Sequence, residues 1–208
     1  MIRIYLAGPE VFLANALEIG KQKKALCAKY GFIGVFPLDN EITDCQNYYD
    51  TAMRISASNE DLIKSCSYMI ANLTSFRGPS ADAGTVYEVG FGVAYKLKVF
   101  GYTNDNDGFY QRSFQYMNYF AKNIGKNVTC NKTGITRDGY GMSFEDFGLM
   151  DNLMIEGGIA ASGGMCCTTS PISDQDKYTN LEGLASCLRR ISAESNRNAY
   201  DNDGTTNT

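Results

Sequence analysis

The sequence predicts a doubly wound α/β fold, in which helices flank a parallel sheet of about five strands. Short apolar runs rich in β-forming residues alternate with segments of helical periodicity, the connections between them are short, and several runs end at glycine or proline. Parallel strands need crossover segments, which this alternation supplies. The expected sheet is therefore of the flavodoxin or Rossmann type, and 208 residues suit a single domain of this kind.

The alternation is clearest in the first half of the chain. The predicted elements are a strand at 2–7, a helix at 11–30, a strand at 32–36, a helix at 47–65, a strand at 68–73, a helix at 84–96 and a strand at 98–102. Lys21, Lys23 and Lys24 are placed on the polar face of the first helix. Ligands of doubly wound sheets bind beyond the carboxyl ends of the strands. The residues expected at this edge, here called the rim, are 5–9, 37–39, 73–78 and Tyr102.

The pattern weakens after residue 104. Residues 109–124 have helical periodicity, about 122–140 form a polar insert, 147–159 are apolar again, 160–173 form a connector rich in Gly, Ser and Cys, and 177–191 form a terminal helix. From residue 195 the Asn, Asp, Gly and Thr composition is typical of a disordered tail. We therefore predict one domain over 1–194 and a tail over 195–208.

Composition excludes several classes of function. The formal net charge is −4 and no dense Lys/Arg stripe is present, which argues against a nucleic-acid partner. No apolar run approaches the ~20 residues that cross a bilayer and no signal-peptide pattern opens the chain, so we expect a cytoplasmic protein without a membrane partner. Histidine is absent and the seven cysteines lack CxxC spacing. We therefore expect no metal site and no Ser-His or Cys-His nucleophile.

The segment 76–90 contains the residues best suited to chemistry. Asp82 stands where its side chain can cap the next helix, and that helix carries Glu88 near its start, close to the strand ends. Two carboxylates are therefore expected at the rim. The same spacing also fits an ordinary helix cap and a solvated helix residue, and spacing alone leaves both interpretations open.

Four motifs of this chain resemble, in order, those of the nucleoside 2-deoxyribosyltransferase family. The motifs are Ile4-Tyr5-Leu6-Ala7-Gly8-Pro9, Phe76-Arg77-Gly78, Asp82-x-Gly84-Thr85-x-x-Glu88-x-Gly90 and Asn152-Leu153-Met154. The resemblance implies transfer of a 2-deoxyribosyl group from a 2-deoxynucleoside to another purine or pyrimidine base, with retention and through a covalent bond to Glu88. A carboxylate suits this role because it stabilises an oxocarbenium-like transition state and then bonds to the carbon. No cofactor is implied.

The resemblance also implies roles around Glu88. The Tyr5 hydroxyl is expected to orient the nucleophile, Asp82 to hold the deoxyribose hydroxyls, and Gly84 and Thr85 to let the backbone approach the sugar. Asn152 and Met154 are expected to reach into a neighbouring subunit's active site, which implies a homo-oligomer. The other substrate-binding candidates are Gly8, Pro9, Phe12, Asp39, Glu41, Asn59, Arg77 and Gly78. From the residues alone, Tyr5 also fits a buried aromatic, Met154 core packing and Asn152 a turn.

Two positions depart from the family pattern. Ser67 stands where many members have an aspartate just before the third strand, and Asn59 stands near a position that faces the nucleobase. An amide cannot act as a general acid, so the proton donor for the leaving base is unassigned and the base preference is open. Asp39 and Glu41 are candidates for lining the base pocket, and solvated loop charges are the alternative.

Two other functions are compatible with the same residues. Deoxynucleoside 5′-monophosphate hydrolases share the fold and the nucleophilic glutamate but transfer the sugar to water. Arg77 and Ser80 could hold the phosphate of such a substrate, whereas Asp82 would repel it. A non-catalytic nucleoside-sensing domain is the second alternative, although a sensor has no need of a carboxylate beside an orienting tyrosine.

Overall fold

The computed structural model describes residues 1–43, 45–123, 129–130, 134–167, 169 and 171–203. The strands are β1 (Arg3–Ala7), β2 (Ile33–Val35), β3 (Tyr68–Asn72), β4 (Lys98–Tyr102), β5 (Thr129–Cys130), β6 (Thr136–Arg137) and β7 (Cys166–Cys167). The helices are α1 (Ala16–Lys29), α2 (Tyr48–Lys64), α3 (Ala83–Ala94), α4 (Phe109–Asn123), α5 (Leu153–Ala161) and α6 (Glu182–Asp203). Within these ranges, no helix is both long and apolar enough to cross a membrane.

Five parallel strands form the central sheet in the order β2-β1-β3-β4-β7. This order confirms the predicted doubly wound fold and is of the flavodoxin type. The direction of winding reverses between β1 and β3, and ligands of such sheets bind where that reversal occurs. Ala7 pairs with Ala71 at this position, so the loops that follow β1 and β3 leave the sheet side by side.

Helices cover both faces of the sheet. Tyr5 and Ala7 of β1 point to the face on which α2, α3 and α5 pack. Ile4 and Leu6 point to the opposite face, against α1 and α6. Successive side chains of a strand alternate between faces, and strands covered on both faces are apolar throughout. This explains why β1 shows a continuous apolar run with no alternation.

The first half of the chain differs from the sequence prediction mainly at its first helix. The helix predicted from residue 11 begins at Ala16, because Pro9–Phe12 form a separate 3-10 turn. Lys23, predicted on the polar face of that helix, is fully buried. The other elements up to residue 102 have the predicted type, with ends within one or two residues of those expected.

The second half needs three corrections. The connector predicted at 160–173 contains β7, which is too short to show periodicity. The terminal helix begins at Glu182, where the Asn180 side chain accepts a hydrogen bond from the Glu182 N–H at 2.8 Å, and the predicted residues 177–181 lie before it. The tail predicted from 195 is helical as far as Asp203, because adding a residue to an existing helix is much easier than starting one. Residues 204–208 lie outside the described residues.

The insert expected at 122–140 contains the paired strands β5 and β6.

Candidate active site

The start of α3 places Glu88 beside the sheet. Asp82 precedes the helix, and its Oδ2 accepts hydrogen bonds from the Thr85 N–H at 2.9 Å and from the Thr85 hydroxyl at 3.2 Å. A side-chain oxygen at this position satisfies a backbone donor of the first turn that has no partner within the helix. Glu88 therefore lies within the first two turns of a fixed helix, on the face that packs on β1.

Three elements converge on the Glu88 carboxylate. The hydroxyl of Tyr5, from β1, donates to Glu88 Oε1 at 2.7 Å. The Nδ2 of Asn59, from α2, lies at 3.5 Å from the same oxygen. Within the described part of the chain, no group donates a hydrogen bond to Glu88 Oε2. One oxygen is thus fixed, and the other is available to a ligand.

The surroundings of Glu88 change its acidity. Burial raises the pKa of Glu88 to about 7, and the charge of Asp82 acts in the same direction, while the Tyr5 hydrogen bond and the charge of Lys23 oppose it. Burial and the neighbouring Glu88 also raise the pKa of the Tyr5 phenol, so Tyr5 stays protonated and acts as a donor. A strongly shifted carboxyl with a specific partner is typical of active sites.

Aromatic side chains lie on the loops that follow β1 and β3. The rings of Phe12 and Phe76 stack with their centroids 5.1 Å apart. The Arg77 guanidinium lies 4.6 Å from the Phe76 centroid and 5.4 Å from the Phe12 centroid. Phe12 is 56% exposed. This part of the rim therefore presents a flat aromatic surface with a cation beside it, which suits contact with another planar group.

Most of the chain, including the residues of this site, matches a known protein family. A family model described as nucleoside 2-deoxyribosyltransferase matches residues 4–154, which include Tyr5, Asp82 and Glu88. The chain belongs to the nucleoside 2-deoxyribosyltransferase family. The matched span begins in β1 and ends in α5, so it contains four of the five strands of the sheet.

Other known proteins are similar over most of their length. An uncharacterised protein of Schizosaccharomyces pombe is 28% identical over 189 residues, covering 89% of each chain. The structure of a 2-desoxiribosyltransferase from Leishmania mexicana matches with a TM-score of 0.53 at 24% identity, over 87% of this chain and 97% of that one. A conserved protein from Enterococcus faecalis V583 matches with a TM-score of 0.50 at 21% identity, over 92% and 99%. At these identities the two structures show a shared fold.

Some residues predicted from the deoxyribosyltransferase pattern have local structural contacts. Asp39 Oδ2 accepts a hydrogen bond from the Phe36 N–H at 2.8 Å, and its carboxylate pairs with Lys24. Glu41 is exposed. Neither carboxylate hydrogen-bonds to Glu88, Tyr5 or Asn59 among the described contacts. The turn that follows β2 thus explains Asp39 without a ligand.

Asn152 and Met154 lie at the start of α5. The deoxyribosyltransferase pattern implies that both side chains reach into the active site of a neighbouring subunit. Asn152 caps this helix, with its Oδ1 accepting from the Met154 N–H at 3.0 Å and its Nδ2 donating to Glu145. Met154 is 74% exposed, so the interpretation of Met154 as core packing is wrong. Among the described residues, neither side chain hydrogen-bonds to Glu88 of its own chain.

Met154 lines an open apolar groove between α3 and α5, of about 770 Å³. Val86 and Val93 of α3 form its opposite wall. Glu88 is on a different side of α3, where it meets β1 and α2. The groove is therefore separate from the carboxylate site, although both use the same helix.

The sequence analysis missed a buried ion pair below the rim. Glu10 and Lys23 are paired at 2.9 Å, and each side chain is 1% exposed. The sequence does contain a sign of this pair, because Glu10 is a single charged residue in the apolar run that follows the first predicted strand. Among the described residues, no group of three or more Cys, Asp or Glu side chains could hold a metal ion.

Proposed function

We propose that this protein transfers the 2-deoxyribosyl group of a 2-deoxynucleoside to another purine or pyrimidine base. The observation that carries the proposal is the buried Glu88 carboxylate, with Oε1 held by Tyr5 and Oε2 without a donor. Membership of the nucleoside 2-deoxyribosyltransferase family supports small nucleosides and free nucleobases as substrates.

In the first step, Glu88 Oε2 attacks the anomeric carbon while the bond from that carbon to the base nitrogen breaks. The base leaves with the bonding electron pair and takes a proton from a donor that is not assigned. The carboxylate stabilises the positive charge that develops on the sugar in the transition state. In the second step, a nitrogen of the incoming base attacks the same carbon, the bond to Glu88 breaks, and the incoming base loses its proton. Two displacements at one carbon retain the configuration.

The groups near Glu88 support binding of a deoxyribose. Both hydrogen bonds to Asp82 use Oδ2, so Oδ1 is available to a sugar hydroxyl. A Cβ added at Gly84 would lie 3.0 Å from Asp82 Oδ2, so glycine keeps the approach to this carboxylate open. These contacts favour a sugar held between Asp82 and Glu88 at the start of α3.

Two further side chains, Asn59 and Phe12, support binding of a nucleobase. Asn59 Oδ1 is buried and accepts no hydrogen bond within the described residues. A buried acceptor without a partner costs about 1–3 kcal/mol, and a ligand N–H would satisfy it. The exposed ring of Phe12, stacked on Phe76, offers a surface for a planar base.

The contacts of Ser80 and Asp82 favour the transferase over the monophosphate hydrolase. The Ser80 hydroxyl donates to the buried Asp151, so it is engaged within the protein. Asp82 places a carboxylate at the N-terminus of α3, where a phosphate would otherwise bind. The Asp82 carboxylate therefore disfavours a 5′-phosphate at this helix, and the Ser80 hydroxyl is already engaged with Asp151.

The proposal includes a homo-oligomer in which Asn152 and Met154 contribute to a neighbouring site. The exposed Met154 and the apolar groove beside it support this arrangement, because a large exposed apolar surface usually marks an interface.

The test is mass spectrometry of the intact protein mixed with a 2-deoxynucleoside, alongside chromatography of that nucleoside with a second free base. A deoxyribosyl adduct on Glu88 together with a new nucleoside is expected. Glu88→Gln should form neither product, and Asp61→Asn, which removes an exposed carboxylate from α2, should form both. Free deoxyribose without base exchange would favour the hydrolase, and binding without turnover would favour the sensor.

A further inference from the structure

The carboxylate of Glu10 joins four parts of the fold. Glu10 lies in the 3-10 turn after β1. Its Oε1 accepts hydrogen bonds from Lys23 Nζ of α1 at 2.9 Å, from Asn72 Nδ2 at the end of β3 at 2.9 Å and from the Tyr102 hydroxyl at the end of β4 at 3.3 Å. One oxygen atom thus connects the loop after β1 to a helix and two strand ends.

The hydrogen bonds continue from Asn72 into the next loops. Because Asn72 donates its Nδ2 to Glu10, its Oδ1 faces the loop after β3 and accepts from the N–H and hydroxyl of Thr74. The Thr74 hydroxyl oxygen in turn accepts from the Asn104 N–H at 2.9 Å. Asn72, Thr74 and Asn104 are all buried. A continuous buried polar chain therefore lies beneath the loops that carry Phe12 and Phe76.

The loop after β1 rests directly on this carboxylate. A Cβ added at Gly8 would lie 2.0 Å from Glu10 Oε2 and 2.9 Å from Asn72 Cβ. Glu10 Oε2 is buried and has no hydrogen-bond partner among the described residues. Buried ion pairs contribute little net stability, and well-packed apolar residues often replace them without loss. The position of this pair, below the rim, indicates a role other than stability.

We propose that Glu10 and Lys23 are positioning residues for the candidate active site. Their ion pair fixes the loop of Gly8 and Pro9 and, through Asn72, the loop that carries Phe76, so that both loops are set before substrate binds. This inference rests on the proposed function, because the substrate is taken to bind between these loops and Glu88. The charge of Lys23 also lowers the pKa of Glu88, against the larger effect of burial.

The test compares the double variant Glu10→Gln/Lys23→Met with the wild type and with Lys21→Met, which changes an exposed lysine of the same helix. The double variant removes both charges together, so no unpaired charge is left buried. We expect its melting temperature to stay close to that of the wild type. We expect kcat/KM for base exchange to fall by at least about tenfold, mainly through KM, because loops that bind substrate lose their fixed geometry. Lys21→Met should match the wild type.

Amide hydrogen exchange gives a readout that needs no turnover. In the double variant, exchange at residues 8–12 and 74–78 should become faster, while exchange in β1 and β3 stays unchanged. Asn72→Ala leaves the ion pair intact and removes only the hydrogen bonds that connect Glu10 to the loop after β3. In this variant, faster amide exchange should be confined to residues 74–78. This single variant also covers the case in which the double variant fails to fold.

The inference would be overturned if the double variant kept the KM of the wild type and the same amide hydrogen exchange in both loops. It would also be overturned if the double variant had a lower melting temperature but an unchanged KM. If the wild type exchanges no bases, the proposed function fails. In that case, two measurements on the wild type and the variants test the positioning role separately. They are amide hydrogen exchange in the two loops and direct binding of a 2-deoxynucleoside.

Discussion

Replacing Tyr5 by phenylalanine removes the hydroxyl that donates to Glu88 and keeps the buried ring. A hydrogen bond to a charged group contributes about 1.5–3 kcal/mol. If that energy is used to orient the nucleophile, its loss lowers the rate of glycosyl-enzyme formation by about 10- to 150-fold, at about 1.4 kcal/mol per factor of ten.

The same substitution should change the pH dependence. The Tyr5 hydrogen bond lowers the pKa of Glu88, which burial raises to about 7. Without that bond the pKa of Glu88 rises further. The attacking form is the carboxylate, so the acidic limb of the kcat/KM profile should move to higher pH in Tyr5→Phe.

The assay is base exchange followed by chromatography from pH 5 to 9, with the melting temperature as a check on folding. Tyr68→Phe is the matched control, because Tyr68 opens the neighbouring strand, stacks on Phe100 and makes no side-chain hydrogen bond among the described residues. Full activity in Tyr5→Phe, with the acidic limb unmoved, would refute the argument that this hydroxyl orients Glu88.

Three further predictions concern stability and assembly. The folded-state pKa of Glu88 is about 7 against an ordinary 4.5, so the folded protein binds more protons and ionisation destabilises it as pH rises through this window. The free energy of unfolding of Glu88→Gln should therefore exceed that of the wild type by up to roughly 3 kcal/mol at pH 8, and this difference should vanish near pH 4. Equal free energies of unfolding at pH 8 would contradict the raised pKa. Arg112 is buried and donates to the carbonyls of Pro79, Asp107 and Met150, so Arg112→Met should lower the free energy of unfolding in urea by about 3–5 kcal/mol, whereas the exposed Arg189→Met should change it little. Mixing inactive Glu88→Gln with Asn152→Ala should restore part of the activity if subunits exchange and sites are shared, and no recovery in a proven mixed oligomer would argue against shared sites.

The sequence was sufficient to predict the first four sheet strands, and the resemblance to the nucleoside 2-deoxyribosyltransferase family implied that Tyr5 meets Glu88. Strands with apolar runs and helices with clear periodicity determine the order of elements, and the winding then brings the carboxyl ends of β1 and β3 together. The structure places the Tyr5 hydroxyl 2.7 Å from Glu88 Oε1. Their catalytic roles stay predictions.

What could not be predicted depends on tertiary contacts. Lys23 was assigned to a polar face, because helical periodicity does not reveal that a charge has a buried partner 13 residues earlier. Asp39 was a candidate for lining a base pocket, and the sequence did not reveal that its carboxylate also accepts a local hydrogen bond from the Phe36 N–H. The two residues of β7 form a strand only because β4 offers them an edge.

The pairing of β1 with β3 connects the evolution of the core to that of the site. A slip of one residue in this register would turn Tyr5 away from α3 and bring Ile4 or Leu6 in its place, and every other side chain of β1 would change face with it. Mutations that preserve this register therefore preserve the direction of the Tyr5 hydroxyl as well. Selection for folding alone would therefore keep the hydroxyl that donates to Glu88 in place, even where the loops of the rim diverge.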